Sequence, residues 1–279
     1  MITCNIMGGL GNQLFQIFTT IAYALKHNEP FIFTYAKMFG KRPAYWDNFL
    51  YPLRKFTTLN RIQGSVLREK GFHYEELHKN LNQNQQNIIL YGYFQSEKYF
   101  QEHAEEIAEM IMNLKETKKI LLEREFKQLD PKKTISMHFR LGDYMNLQEF
   151  HPVLPLTYYK NSLNTLIEKT ETTDWTVLYF CEEDDSDYVK EEYIKQLEKE
   201  KDFKGLVFIQ ANPRALDYEQ MIMMSCCQHH IIANSSFSWW GAYLHFSSKK
   251  IVCSPAVWFG PKLFKNDTKD LIPDSWLKI

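Results

Sequence analysis

The segment HFRLGD, His138–Asp143, carries the residue types and spacing best suited to chemistry. It closes a short apolar run, Thr134–Phe139, that reads as a buried strand ending in a polar, glycine-containing turn. His138, Arg140 and Asp143 therefore stand at or just past the strand's carboxyl end, where open α/β sheets bind ligands. His138 and Arg140 share one face while the strand persists. An arginine there suits a phosphate, because its planar fork donates two parallel charge-assisted hydrogen bonds. Gly142 lets the backbone turn sharply or approach a ligand closely. The plainer alternative is a strand end whose Arg140 simply pairs with Asp143.

Two further segments could hold an anion. MGGLGN, Met7–Asn12, sets Gly8, Gly9 and Gly11 between a strand and a helix, where free N–H groups and the helix dipole favour negative charge. It lacks the third glycine of the dinucleotide fingerprint, and Tyr35 and Ala36 stand where an acidic residue about 20 positions on would be needed. A structural turn would explain the glycines, but Asn12 and Gln13 add amides that few tight turns need. In IIANSSFSWWGAYL, Ile231–Leu244, an apolar strand ends at Ala233 and an aromatic helix opens at Phe237. One of Ser235, Ser236 or Ser238 would cap that helix; three serines and Asn234 exceed what a cap requires. Trp239 and Trp240 could stack on a sugar, but early in an amphipathic helix the packing reading is preferred.

The acidic run Cys181–Asp185 could hold Mg²⁺ or Mn²⁺ at a strand end, yet it also opens an acidic helix, which is the preferred reading. Cys226-Cys227 and His229-His230 suggest a metal site only superficially, since adjacent strand residues point to opposite faces. No metal ligand is assigned.

The elements that position these residues follow from periodicity. In the second half, strand-like runs at Thr134–Phe139, Thr176–Cys181, Leu206–Ile209, His230–Ala233 and Lys250–Ser254 alternate with helical stretches. The helices fall around Leu156–Lys169, Asp187–Lys201, Ala215–Cys227 and Phe237–Phe246. Such alternation implies right-handed crossovers and a parallel sheet, hence a Rossmann-like nucleotide-binding unit. The first half opens likewise: a strand at Ile2–Met7, a helix at Gln13–His27 with Leu14, Phe18, Ile21 and Leu25 on one stripe, and a strand at Phe31–Tyr35. Tyr45–Leu59 is aromatic and irregular, Leu81–Asn87 is an Asn/Gln-rich loop, and Glu97–Leu129 is charged and mostly helical. Asp130-Pro131 marks a boundary, giving an N-terminal α/β domain over 1–129 and a C-terminal Rossmann-like domain over 130–279. The expected architecture is two α/β domains facing a cleft.

Composition narrows the function. The chain has 279 residues, enough for two domains of roughly 130–150 residues. Its net charge of −1 offers no basic field for nucleic acid, so an anionic ligand must be held by a local pocket. The five cysteines are odd in number and lack CxxC spacing, which argues against zinc or a disulfide framework. No signal peptide is evident, and no apolar run approaches the ~18–20 residues of a membrane span. The protein reads as soluble and cytoplasmic, or peripheral to a membrane, with oligomeric state unreadable.

These clusters, in this order, resemble glycosyltransferase family 11, the α-1,2-fucosyltransferases, of the soluble bacterial and viral type. The matching text is GGLGNQLFQ at Gly8–Gln16, GYFQSEKYF at Gly92–Phe100, HFRLGDY at His138–Tyr144 and IIANSSFSWWGAYL at Ile231–Leu244. SPAVWF at Ser254–Phe259 and LIPDSWLKI at Leu271–Ile279 are similar too. The resemblance implies a GT-B-like fold with two Rossmann-like domains, the N-terminal one on the acceptor side and the C-terminal one binding the GDP-sugar. It implies inverting transfer of L-fucose from GDP-β-L-fucose to the 2-hydroxyl of a terminal β-galactoside, with no metal or other cofactor. Alternatives are another GDP-sugar or acceptor hydroxyl, a metal-dependent transferase using Glu182–Asp185, or a non-catalytic carbohydrate-binding module. By the resemblance Arg140 would neutralise the β-phosphate of the leaving GDP. Ser235, Ser236 and the helix start at Asn234–Phe237 would hold the phosphates, with Gly9, Gly11 and Asn12 approaching from the other domain. His138 and Asp143 would orient Arg140 or the nucleoside, and either could serve as base. The family segment commonly reads HxRRGD; here the second arginine is Leu141.

Overall fold

The computed structural model describes residues 1–78 and 87–279, so the expected Asn/Gln-rich loop, apart from Asn87, lies outside the described residues. Two compact units emerge, one formed by Met1–Thr117 with Asn266–Pro273, the other by Lys118–Lys265 with Asp274–Ile279. The division falls before the expected Asp130. The helix that spans it is tied to the second unit by Lys118, whose Nζ donates to Ser225 O at 3.2 Å and Leu244 O at 2.7 Å.

The first unit contains β1 (Ile2–Cys4), α1 (Leu10–Lys26), β2 (Phe33–Thr34), β3 (Met38–Phe39), β4 (Arg42–Pro43), β5 (Thr57–Thr58), β6 (Ser65–Arg68), β7 (Ile88–Tyr91) and α2 (Ala104–Met112). Strands β1, β7 and β6 form a parallel sheet in the order β1-β7-β6, while β2 pairs with β5 and β3 with β4. Helix α1 starts earlier than its apolar stripe suggests, directly after Gly9. Leu14, Phe18 and Ile21 are fully buried, whereas Leu25, expected on the same stripe, is exposed.

The second unit runs α3 (Leu114–Glu125, which begins in the first), β8 (Thr134–His138), α4 (Leu156–Thr170), β9 (Thr176–Phe180), α5 (Ser186–Val189), α6 (Lys195–Leu197), β10 (Val207–Gln210), α7 (Asp217–Cys226), β11 (His229–Ile231), α8 (Ser236–Tyr243), β12 (Val252–Ser254) and β13 (Leu277–Lys278). A π-helical stretch, Lys190–Ile194, joins α5 to α6. The six strands are all parallel, in the order β10-β9-β8-β11-β12-β13. This is the doubly wound order of nucleotide-binding sheets, whose direction reverses between β8 and β11, and it places a ligand crevice beyond the carboxyl ends of those two strands. Every residue of β8 is buried, as a central parallel strand covered on both faces requires. Ile135, Met137 and Phe139 join Tyr159, Leu163 and Tyr193 in the core on one face. Alternation then sends Ser136 and His138 to the other face, and register sets His230 of β11 beside Ser136. Among the described residues no helix is long and apolar enough to cross a membrane.

Candidate active site

The switch between β8 and β11 brings HFRLGD and ANSSF together. The rings of His138 and Phe237 lie 5.5 Å apart, and the Tyr144 hydroxyl donates to Asn234 O at 3.2 Å. Past β8 the chain turns at Gly142, whose φ of +41° favours glycine and whose missing side chain leaves room for Glu182 Oε2, 3.0 Å from where a Cβ would sit.

Arg140 projects from this turn with its side chain 21 % exposed. Its guanidinium pairs with Asp143 and Glu182 and lies 5.1 Å from the centre of the Tyr144 ring. Burial opposes its charge, but the Glu182 and Asp143 carboxylates outweigh that and hold its pKa above the ordinary value. The result is a charge-balanced cation, ready to exchange carboxylate partners for phosphate oxygens. Asp143 thus has the structural pairing foreseen from sequence. Glu182, read there as a doubtful metal ligand, proves to be Arg140's second partner.

The rest of the acidic run is also engaged. Gly142 N donates to Asp185 Oδ2 at 3.0 Å, and Arg214 Nε donates to Glu183 Oε1 at 2.7 Å. Among the described residues no three His, Cys, Asp or Glu side chains are gathered so as to hold a metal ion.

His138 sits beneath the turn at 7 % exposure, and burial, reinforced by Arg140, pushes its pKa down to about 3. It is therefore neutral near pH 7 and a weak base. Its Nδ1 is buried without a hydrogen-bond partner.

Across the switch, Ser235 caps α8, its hydroxyl accepting from Phe237 N at 3.3 Å. Ser236 opens the helix and is half-buried. Asn234 is 1 % exposed, its Nδ2 donating to Pro152 O at 2.9 Å and Trp258 O at 3.2 Å, while its Oδ1 is buried without a partner. Trp239 and Trp240 are fully buried, Trp239 stacking on Tyr243 at 4.6 Å, so neither offers a face to a sugar.

Leu141 has a different place from the one its motif suggests. It is 2 % exposed and packs in the core beside Phe139, so the position of the family's second arginine is apolar interior in this chain.

In the first unit, the glycine turn is braced by the amides that seemed surplus in the sequence. Gln16 accepts from Met7 N at 2.9 Å and donates to Met7 O at 2.8 Å. Gln13 donates to Gly8 O at 3.0 Å, and the Asn12 Oδ1 accepts from Gln95 at 2.7 Å. Gly8 adopts φ +83°, and a Cβ there would meet Asn12 Nδ2 at 2.6 Å. Gly9 ends the turn with no side-chain cap on α1, and Gly11 is buried within the helix.

Sequence reasoning missed His151. Its ring stacks on Tyr144, 4.8 Å between centres and 20° between planes, and its Nδ1 is buried without a partner. An isolated histidine in a loop carries no spacing signal that could have found it.

Comparison with known proteins agrees with this arrangement. An α-1,2-colitosyltransferase of Escherichia coli is 27 % identical over 100 % of this chain and 99 % of its own length. The Escherichia coli O-antigen biosynthesis glycosyltransferase WbnK is 29 % identical over 82 % of this chain and 74 % of its own. Among solved structures, Arabidopsis thaliana FUT1 in complex with GDP has TM-score 0.50 at 13 % identity, covering 99 % of this chain and 75 % of that one. NodZ α-1,6-fucosyltransferase co-crystallized with GDP has TM-score 0.50 at 12 % identity, covering 87 % and 92 %. These structures show the GT-B-like α/β fold. The family model of glycosyl transferase family 11 matches residues 1–270, and the chain belongs to that family of glycosyltransferases.

Proposed function

We propose that this glycosyltransferase moves L-fucose from GDP-β-L-fucose to the 2-hydroxyl of a terminal β-galactoside, with inversion and without a metal. The observation that carries the reading is Arg140 at the switch point of a doubly wound sheet, beside the start of α8. As the glycosidic bond breaks, negative charge gathers on the β-phosphate, and a preplaced guanidinium stabilises it most in the transition state. Asp143 and Glu182 aim Arg140, and Ser235, Ser236 and the N–H groups at the α8 start receive the phosphates beside Asn234 and Phe237. His138 supports the turn as a neutral ring. The second unit is the GDP-sugar domain in this account and the first the acceptor domain. The uncapped start of α1, with Gly9, Gly11 and Asn12, is a further donor contact by the same anion-binding logic.

A second donor has specific support. The relative aligned along nearly its whole length transfers colitose, a 3-deoxy form of L-fucose, so the 3-hydroxyl is the feature that separates the two donors. Incubating the protein with lactose and either GDP-fucose or GDP-colitose, followed by mass and linkage analysis, decides between them. An α-1,2-fucosyl product, formed equally well in excess EDTA, supports the reading. Exclusive use of GDP-colitose reassigns the donor, loss of activity on chelation overturns metal independence, and no use of any GDP-sugar overturns the reading.

A further inference from the structure

Transfer by inversion requires the acceptor hydroxyl to lose a proton, and the residues already placed are poorly disposed to take it. Asp143 and Glu182 are occupied by Arg140, and His138 is buried beneath the turn. His151 is differently placed. Its half-buried ring stacks on Tyr144, which in turn lies against Arg140, so it is next in line from the phosphate-suited guanidinium. Its position is set by the framework: His151 N donates to Leu147 O at 2.8 Å, the ring meets Phe259 at 5.7 Å, and the adjacent Pro152 O is held by Asn234. With Nδ1 shut in, only Nε2 can meet a ligand.

We infer that His151 is the catalytic base and that donor binding switches it on, an inference that rests on the transferase reading above. Without donor, Arg140 offsets the charge of Asp143. When the diphosphate draws Arg140 away, the Asp143 carboxylate is left uncompensated beside His151 and raises its proton affinity. The C1–O bond of the donor then breaks, its electron pair leaving on the β-phosphate oxygen of GDP. The acceptor oxygen forms the new bond to C1, and its proton passes to His151 Nε2 and on to solvent. The tautomer required carries its hydrogen on Nδ1.

The electrostatics of the turn support this order of events. Burial lowers the His151 pKa, Asp143 raises it and Arg140 lowers it again, so moving Arg140 removes a term that disfavours the protonated ring. The other charged groups nearby are already matched: Glu149 pairs with Lys262 at 2.5 Å, and Asp185 accepts from Gly142 N.

The test uses the full chain, with GDP affinity by calorimetry and transfer measured across pH. His151→Gln should keep GDP affinity, lower turnover by roughly 10²–10⁴-fold and lose the acidic limb of the rate profile. His151→Ala should regain turnover on addition of imidazole, which a merely structural ring would not allow. By NMR the His151 pKa should rise when GDP is added to the wild-type protein and stay fixed in Asp143→Asn. Near-normal turnover with an unchanged acidic limb, loss of GDP binding in both His151 variants, or absence of imidazole rescue would each overturn the role of His151 while leaving the transferase reading standing. A wild-type chain that transfers from no GDP-sugar overturns both.

Discussion

His230 and His138 lie on the same face of the second unit's sheet, and their surroundings differ in one respect. Both are buried and both are held neutral by that burial. His230 is fully partnered: Nδ1 meets Ser136 Oγ at 2.8 Å and Nε2 meets His245 Nδ1 at 3.1 Å. The carbonyls around it are matched too, with Lys250 Nζ donating to Ala242 O and His245 O, both at 2.7 Å. At the other end of α8, the buried atoms His138 Nδ1, Asn234 Oδ1 and His151 Nδ1 have no partner. An unmade buried hydrogen bond costs on the order of 1–3 kcal/mol, so a concentration of them at one place needs a reason. The contrast teaches that the region around His230 is framework, closed for stability, while the region around His138 and Arg140 is left open for a ligand.

The sharpest way to break that contrast is at Arg140. Arg140→Ala should lower transfer by roughly 10²–10³-fold, the loss typical of a charge-stabilising donor, with little change in thermal midpoint. A comparable loss of stability would make Arg140 framework after all. Next comes a matched pair read by urea denaturation. His230→Leu strands Ser136 and His245 and should cost about 1–3 kcal/mol for each group left unpaired, whereas His138→Leu breaks no ring hydrogen bond and should cost clearly less. Equal costs would erase the distinction between the two regions.

Acid tests both histidine environments at once. Burial lowers His138 from the usual 6.5 to about 3, and His229 and His245 to about 4. Between those values and 6.5 the unfolded chain binds protons that the folded chain does not, so stability is complete above about pH 6.5 and falls as pH drops toward 4. Urea midpoints measured across that window should decline, and a flat profile would contradict the assigned burial. The smallest expected effect is at the cap: Ser235→Ala should cost about 1 kcal/mol of stability. It should also weaken GDP binding if the α8 start receives phosphate.

Much of the site was legible because it is written in local pattern. A buried strand ending at HFRLGD and another ending at ANSSF place Arg140 and Ser235 at strand ends, and alternating strands and helices predict the parallel sheet that brings those ends together. What was not legible depends on contacts distant in sequence. Glu182 reads as part of an acidic helix start until folding sets it against Arg140. Leu141 reads as a missing phosphate ligand until its side chain is seen in the core. The early domain boundary depends on Lys118 reaching the ends of α7 and α8, and β13, with two residues, is too short to carry a period. His151 gains meaning only from Tyr144 stacked on it.

The central claim is that Arg140, at the switch point of the second unit, engages the diphosphate of a GDP-sugar. Titrating GDP calorimetrically into the wild-type protein and into Arg140→Ala tests it most directly. The account predicts saturable binding by the wild type and at least about a tenfold loss in the variant, the minimum expected for a charge-assisted pair worth about 1.5–3 kcal/mol. Equal GDP affinity in the two proteins, or none in either, would contradict it.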